Sequence, residues 1–303
     1  MGRCNAMSPV HARQRSDGVA MTPAMLALVL AGCFAVARPA PLMAQAPSAE
    51  TRAFMLDGAP VQGGLVRGRA SSAATGLALD GRAVAIATDG AFLLGFDRDA
   101  GPSAQLIERT AAGDIVHPLA VARRAWAIEH VDVPYRAGKT DAEFAAARPA
   151  ELAAIVAARR LATDARGWRV PLRWPARGRI SGLFGAQRVY QGKPGSYHAG
   201  VDIALPTGAP VVAPADGVVI LAADHPFTLE GNLLMIDHGM GLNSAFLHLS
   251  RIDVRVGDHV RQGQPIGGVG MTGRATGPHL HWGLRWGEAK LDPLLVAGAM
   301  ATR

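Results

Sequence analysis

The segment GPHLHW, residues 277–282, sets two of the chain's ten histidines one residue apart. HAGVD, residues 198–202, sets a histidine and an aspartate four apart, and NSAFLHL, residues 243–249, carries a further histidine at 248. Imidazoles and carboxylates bind divalent metals, and imidazoles carry protons near neutral pH. Side chains alternate along a strand, so even spacings place partners on one face. On that rule His279 and His281 share a face, with Leu280 and Trp282 turned into a core. His198 and Asp202 share a face, and so do Ser244, Phe246 and His248. Three strands would then deliver four imidazoles and one carboxylate to one groove. A catalytic zinc takes three protein ligands and keeps an open position. Two histidines and one aspartate would leave the ion with a net charge of about +1, enough to lower the pKa of water toward neutrality. The two remaining imidazoles could move protons.

The elements that must position these residues read mainly as β. Short alternating runs occupy VQGGLVRGRA (61–70), GLALDGRAVAIATDGAFLLGF (76–96), AQLIERTAAGDIVHPLAVA (104–122) and RAWAIEHVDV (124–133). Asp80-Gly81, Asp89-Gly90 and Gly113-Asp114 punctuate them at hairpin spacing. They predict a small antiparallel β-sandwich over 47–134. Its His117 and His130 are isolated and read as surface or strand-end residues. Residues 135–170 read as a helical linker, with alanine-rich stretches at 141–147 and 149–162. Pro149 suits a first helical position, and Leu152, Ile155, Val156 and Arg159 would line one face. Such a helix either straps a neighbouring domain or only spaces two domains. Residues 171–303 read as a compact antiparallel β domain, with strands at 179–184, 199–204, 210–213, 217–223, 232–237, 243–249, 265–269 and 280–285.

The first 46 residues read as a leader. AMLALVLAGCFAVA (24–37) is one apolar run, with Arg3, Arg13 and Arg15 upstream and an A-x-A site at 44–46 downstream. Two processing routes are open: cleavage after Ala46, or lipidation of Cys33 within Leu30-Ala31-Gly32-Cys33, which would anchor the chain to a membrane. Either implies export to the periplasm or cell envelope. Both cysteines, Cys4 and Cys33, lie in the leader, so a metal site further on must use histidines and carboxylates. Without the leader the chain keeps 27 basic and 23 acidic residues, a net of +4. That surplus, with no basic block and interleaved aromatics, argues against a nucleic-acid partner.

From Phe184 to Leu294 the sequence resembles the lysostaphin-type zinc metalloendopeptidases, which cut peptide cross-links of bacterial peptidoglycan. The resemblance runs through FGAQRVYQGKPGSYHAGVDIALPTGAPVVAPADGVV (184–219), GNLLMIDHG (231–239), FLHL (246–249) and VGDHVRQGQPIGGVGMTGRATGPHLHWGL (256–284). It implies a duplicated-hybrid-motif-like β domain. It also implies that His198, Asp202 and His281 are the ligands of one zinc ion, and that His248 and His279 flank the metal as catalytic residues. His248 would help deprotonate the attacking water, and His279 would stabilise the oxyanion or protonate the leaving amine. The first domain is similar to the small β-sandwich that precedes the catalytic domain in some members. Some relatives have lost their ligands and bind and activate other wall hydrolases; that regulatory role, with envelope proteins as partners, is the alternative. Phe246 stands where many members have tyrosine, and Gln191 where asparagine commonly precedes the glycine. Tyr190 and Tyr197 are minor candidates for a phenol in the groove, and Arg274 and Thr276 for its lining. His238 reads as a structural hydrogen bonder, Asn232 as a turn residue, and His225 and His259 as solvated.

Overall fold

The structure, a computed structural model, describes residues 52–132 and 142–300. The leader, with Cys4, Cys33 and the A-x-A site, lies outside the described residues.

Two antiparallel sheets form first. One orders β1 (Met55–Asp57), β2 (Leu65–Arg69) and β5 (Ala91–Gly95). The other orders β4 (Arg82–Val84), β3 (Ala74–Leu79), β6 (Ser103–Thr110) and β7 (Gly113–Ala120). Their inward residues, among them Val66, Leu77, Phe92, Leu94 and Leu106, close one apolar core. His117 in β7 stacks on Phe54 with ring centroids 3.8 Å apart and meets the buried Glu108 at 3.1 Å. His130, at the exposed end of this half, contributes to no core.

The large sheet of the second half orders β18 (His259–Val260), β14 (Gly217–Ala222), β15 (Asn232–Gly239), β16 (Leu242–Leu249), β20 (His279–Trp286), β12 (Val201–Ala204) and β9 (Arg179–Gly182), with β21 (Ala289–Leu291) also paired to β20. A small sheet of β13 (Pro210–Val212), β19 (Pro265–Gly268) and β17 (Arg251–Ile252) packs beside it. Val201, Ile203, Phe246, Leu280, Trp282 and Leu284 fill the main core on one face of the large sheet. Trp282 is fully buried and meets Trp174 edge-on at 5.5 Å. The opposite face carries the groove and a helix.

That helix, α1 (Ala142–Arg159), corrects two expectations. Pro149 sits inside it rather than at its first position. Proline forfeits one helix hydrogen bond there, but alanine-rich runs on both sides favour the helix enough to carry it through. Its packed face is Glu151, Ile155 and Ala158, whereas Leu152 and Val156 are exposed. An ion pair of Arg148 with Glu151 occupies the start of the stripe, so counting apolar residues alone selects the wrong face. Ile155 and Ala158 pack on Ile220, Leu221, Phe227, Leu233 and Met235, which makes α1 a strap on the sheet rather than a spacer.

RAWAIEHVDV does not join the first pair of sheets. Its strand β8 (Ile128–Val131) pairs in parallel with β10 (Gln187–Tyr190), which also pairs with β11 (Lys193–Pro194). Alternation within a strand marks its faces but not its neighbour, so this partner was invisible locally. The β10–β11 hairpin turns on Gln191-Gly192, both at positive φ (45° and 80°). A two-residue turn of this hand favours asparagine and glycine, so glutamine here bears on the turn.

The two halves share a buried seam. Leu93 of β5 belongs to the main core, and Trp286 packs against both cores. Arg98 lies against the rings of Trp126 and Tyr197 and donates from Nε to Gly185 O. Asp292 is buried; it pairs with Arg124 at 2.8 Å and accepts from Leu294 N at the start of α2 (Pro293–Ala297).

Candidate metal centre

The pairing of β12 with β20 sets Asp202 directly opposite His281, and Ala204 opposite His279. His281 Nδ1 lies 2.9 Å from Asp202 Oδ1. His198 does not come from the strand, as even spacing suggested; β12 begins only at Val201. His198 stands in the preceding loop, pinned by its own N–H to Ala186 O (2.8 Å) and by its carbonyl to Gly185 N (2.8 Å). Its Nε2 then reaches Asp202 Oδ1 and His281 Nδ1, each at 3.0 Å. The three predicted ligands therefore converge on one point, and they are the group among the described residues whose donor atoms could hold a metal ion.

The donor chemistry fits such an ion. His198 Nδ1–H donates to Leu183 O at 3.0 Å, which leaves Nε2 with a lone pair aimed at the carboxylate. Two acceptor atoms 3.0 Å apart repel unless a proton or a cation lies between them. Two imidazole nitrogens and one carboxylate oxygen, with a side open to the groove, match a tetrahedral zinc site with a free position. Burial opposes charge on Asp202 most strongly, yet the hydrogen bonds and charges of His198 and His281 outweigh it and hold the carboxyl well below its ordinary range. Burial also opposes protonation of His198, but Asp202 and Leu183 together raise its pKa. At His281 burial wins and favours the neutral ring that a metal needs.

His279 and His248 stand beside this triad. His279 Nε2 lies 3.7 Å from Asp202 Oδ1, and the His248 and His279 ring centroids are 4.8 Å apart. Each donates Nδ1–H to a main-chain carbonyl at 2.8 Å, His248 to Thr272 and His279 to Gly277. Both bonds select the tautomer that presents Nε2 to the groove. Burial lowers the pKa of His248, with His279 and His281 adding to the effect against the Thr272 bond.

His248 reaches the groove by a route that alternation does not show. Ser244 and Phe246 are not groove residues; both are fully buried in the core. Ser244 Oγ lies 2.8 Å from His238 Nε2 and accepts from Trp282 Nε1. Phe246 pairs with Trp282, and Leu247 with His281, so regular alternation would turn His248 to the core face with Phe246. Instead the β15–β16 ladder slips between Asn232 and Leu234, and His248 takes φ 63°. This bulge turns its ring to the other face. A hydroxyl at position 246 would point into the core rather than at the His198–Asp202–His281 group.

The groove has a volume of about 1150 Å³. The triad and both flanking histidines line it, as do Arg274 and Thr276. Ile128 and Glu129 of β8 also line it, a wall from the first half that sequence reading missed because the β8–β10 pairing was hidden. Tyr190 and Tyr197 reach the lining, but the Tyr197 hydroxyl donates to Asp97 Oδ1 at 3.1 Å and is thereby committed elsewhere. Asn232 is a strand residue whose Nδ2 donates to Leu249 O. His238 is buried between Asp216 O and Ser244, while His225 and His259 are exposed.

Gly200 leaves room for this packing. A Cβ there would lie 2.5 Å from Trp282 O and 2.7 Å from His281 Nε2. Gly200→Ala should therefore rotate His281 and weaken metal binding roughly 10–100-fold, the scale for disturbing a ligand's orientation. Zinc titration against a competing chelator checks this; an unchanged Kd would show that the glycine is not needed for the ligand's pose.

Residues 196–293 match peptidase family M23. A stretch of 107 residues is 45% identical to the peptidoglycan DD-endopeptidase ShyA of Vibrio cholerae serotype O1, over 35% of this chain and 24% of that protein. Another, of 129 residues, is 36% identical to the cell division protein DipM of Caulobacter vibrioides, over 41% of this chain and 20% of that protein. The chain thus spans about a quarter or less of the length of these curated relatives. The match to a solved structure from Pseudomonas aeruginosa, assigned to peptidase M23, is far more extensive. It covers 80% of this chain and 96% of the other at 30% identity, with a TM-score of 0.60. Likeness over both halves, together with the matched catalytic segment, places the chain in peptidase family M23.

Proposed function

We propose that the protein is a zinc-dependent endopeptidase that hydrolyses peptide cross-links of bacterial peptidoglycan. The observation that carries this reading is the convergence of His198, Asp202 and His281 within one groove that His248 and His279 also face. The names of the wall-cutting relatives support the substrate class. The complete donor set supports an enzyme over a regulator that has lost its ligands.

In this reading His198, Asp202 and His281 would hold the ion. Zinc, when bound, supplies a Lewis acid and lowers the pKa of water toward neutrality. His248, neutral through burial, takes the proton of the attacking water at Nε2. His279 presents Nε2 on the same side of the triad; in its doubly protonated form it would donate from there to the developing oxygen charge, and the proton that His248 has taken from water would pass to the departing amine. Main-chain carbonyls hold both rings in place, so neither needs to reorient as the proton moves.

Purified full chain should carry about one zinc and should release shorter muropeptides from isolated walls, as read by mass spectrometry. Dialysis against a chelator should abolish release and added zinc should restore it. Zinc-independent cleavage, or no cleavage of any wall peptide by zinc-loaded protein, would reject the reading.

A further inference from the structure

The bulge that turns His248 into the groove is held from outside its own strand. His248 N–H donates to Glu230 O at 2.8 Å. Leu249 O accepts from Asn232 Nδ2 at 2.9 Å and from Thr272 Oγ1 at 3.0 Å, and Asn232 N–H donates to Thr272 Oγ1 at 2.9 Å. Residues 230–232 and Thr272 thus clamp both sides of a backbone that sits in the left-handed region at a non-glycine residue. Such a conformation is strained and persists only where its surroundings enforce it.

One member of this clamp is tied to another element. Glu230, largely buried, receives a bidentate ion pair from Arg148 of α1: Nη1 to Oε2 at 2.6 Å and Nη2 to Oε1 at 2.8 Å. Arg148 Nη1 also donates to Glu151 Oε2 at 3.2 Å. Glu151, buried, in turn accepts from Thr228 N at 2.5 Å and from Thr228 Oγ1 at 2.7 Å. Two side chains of the helix therefore grip residues 228–230, whose last carbonyl orients His248. The planar, two-pronged guanidinium fixes a carboxylate in both position and rotation, which a lysine cannot do.

We propose that Arg148 is a positioning residue for His248: through Glu230 it holds the main-chain carbonyl that keeps the His248 bulge closed and its imidazole facing the metal triad. The strap helix is then part of how the groove is assembled. This inference rests on the reading of His248 as the proton acceptor, and its test has one arm that needs no catalysis.

In full-length zinc-loaded protein, Arg148→Ala should leave about one zinc per chain and KM within about twofold, while kcat falls about 10–100-fold, the cost of a small misplacement of a reacting group. In a His248→Ala background the same change should have no further effect, because the residue it acts through is gone. Independently of activity, amide exchange followed by NMR should show the His248 N–H exchanging at least about tenfold faster in Arg148→Ala, with Asp202 and His281 amides unaltered. Arg148→Lys should recover only part of both losses. If Arg148→Ala does not fold, Glu230→Gln, which keeps the shape and removes the charge, should accelerate His248 exchange in the same selective way. Equal losses in both backgrounds, or His248 exchange unchanged or rising only with the rest of the sheet, would overturn the proposal. Failure to cleave wall peptides by the unmodified protein would reject the functional reading, with the exchange result still deciding the role of Arg148.

Discussion

His281→Ala should strip the chain of zinc, whereas His248→Ala should keep zinc and lose turnover. Both rings face the groove, so proximity alone does not separate them. Their hydrogen bonds do. His281 Nδ1 points at Asp202 and His198, and no backbone acceptor competes for it. Removing it leaves two donors, and the affinity loss should exceed the roughly 10–100-fold that follows from disturbing a residue that merely orients a ligand. His248 commits Nδ1 to Thr272 O and contributes no atom to the three-donor cluster. Losing a positioned proton carrier costs about 10²–10⁴-fold in rate. Metal analysis after dialysis, paired with muropeptide release, separates the two. Loss of zinc from His248→Ala would mean that the ligand set is misassigned.

The second large effect concerns residues 171–303 expressed alone, which should fail to form a stable fold. The cut removes both Arg124, which pairs with the Asp292 carboxylate, and Gly63, whose carbonyl accepts from Asp292 N–H, so the start of α2 loses its anchorage. It also removes Leu93 from the main core and Arg98 from the loop that carries His198. Against a typical total stability of about 5–15 kcal/mol, these losses are large. Thermal unfolding should show the fragment aggregating or melting at least about 10 °C below the full chain. A fragment melting within a few degrees of it would show that the seam contributes little. Activity is therefore best measured on the full chain.

These expectations draw on features of different legibility. Eight of the thirteen second-half strands could be read because glycine and proline punctuate them and because apolar and polar residues alternate between; the short β10, β11, β17, β18 and β21 could not. The histidines and the aspartate stand out by their short, even spacings, but the choice of His198, Asp202 and His281 among them comes from the family resemblance and not from spacing. The path of the backbone through them could not be read. His198 lies in a loop that Ala186 and Gly185 pin, and His248 lies at a bulge; both depend on residues distant in sequence. The inward face of α1 was misread because Arg148 and Glu151 occupy part of it and, besides each other, find partners in Glu230 and Thr228, distant in sequence. Polar residues buried through pairing look like surface until the pair is known. The parallel pairing of β8 with β10 was hidden for a related reason: a strand's sequence names its faces, not its neighbour.

That pairing has a consequence for modularity. The matched family segment starts at residue 196, yet part of the wall facing its histidines is Ile128 and Glu129, from a strand much earlier in the chain. A recombinant that joined a different leading half to an unchanged second half would keep His198, Asp202 and His281 and still inherit another cleft. Exchange of the leading half is thus a way to retune what enters the groove without touching the chemistry at its floor.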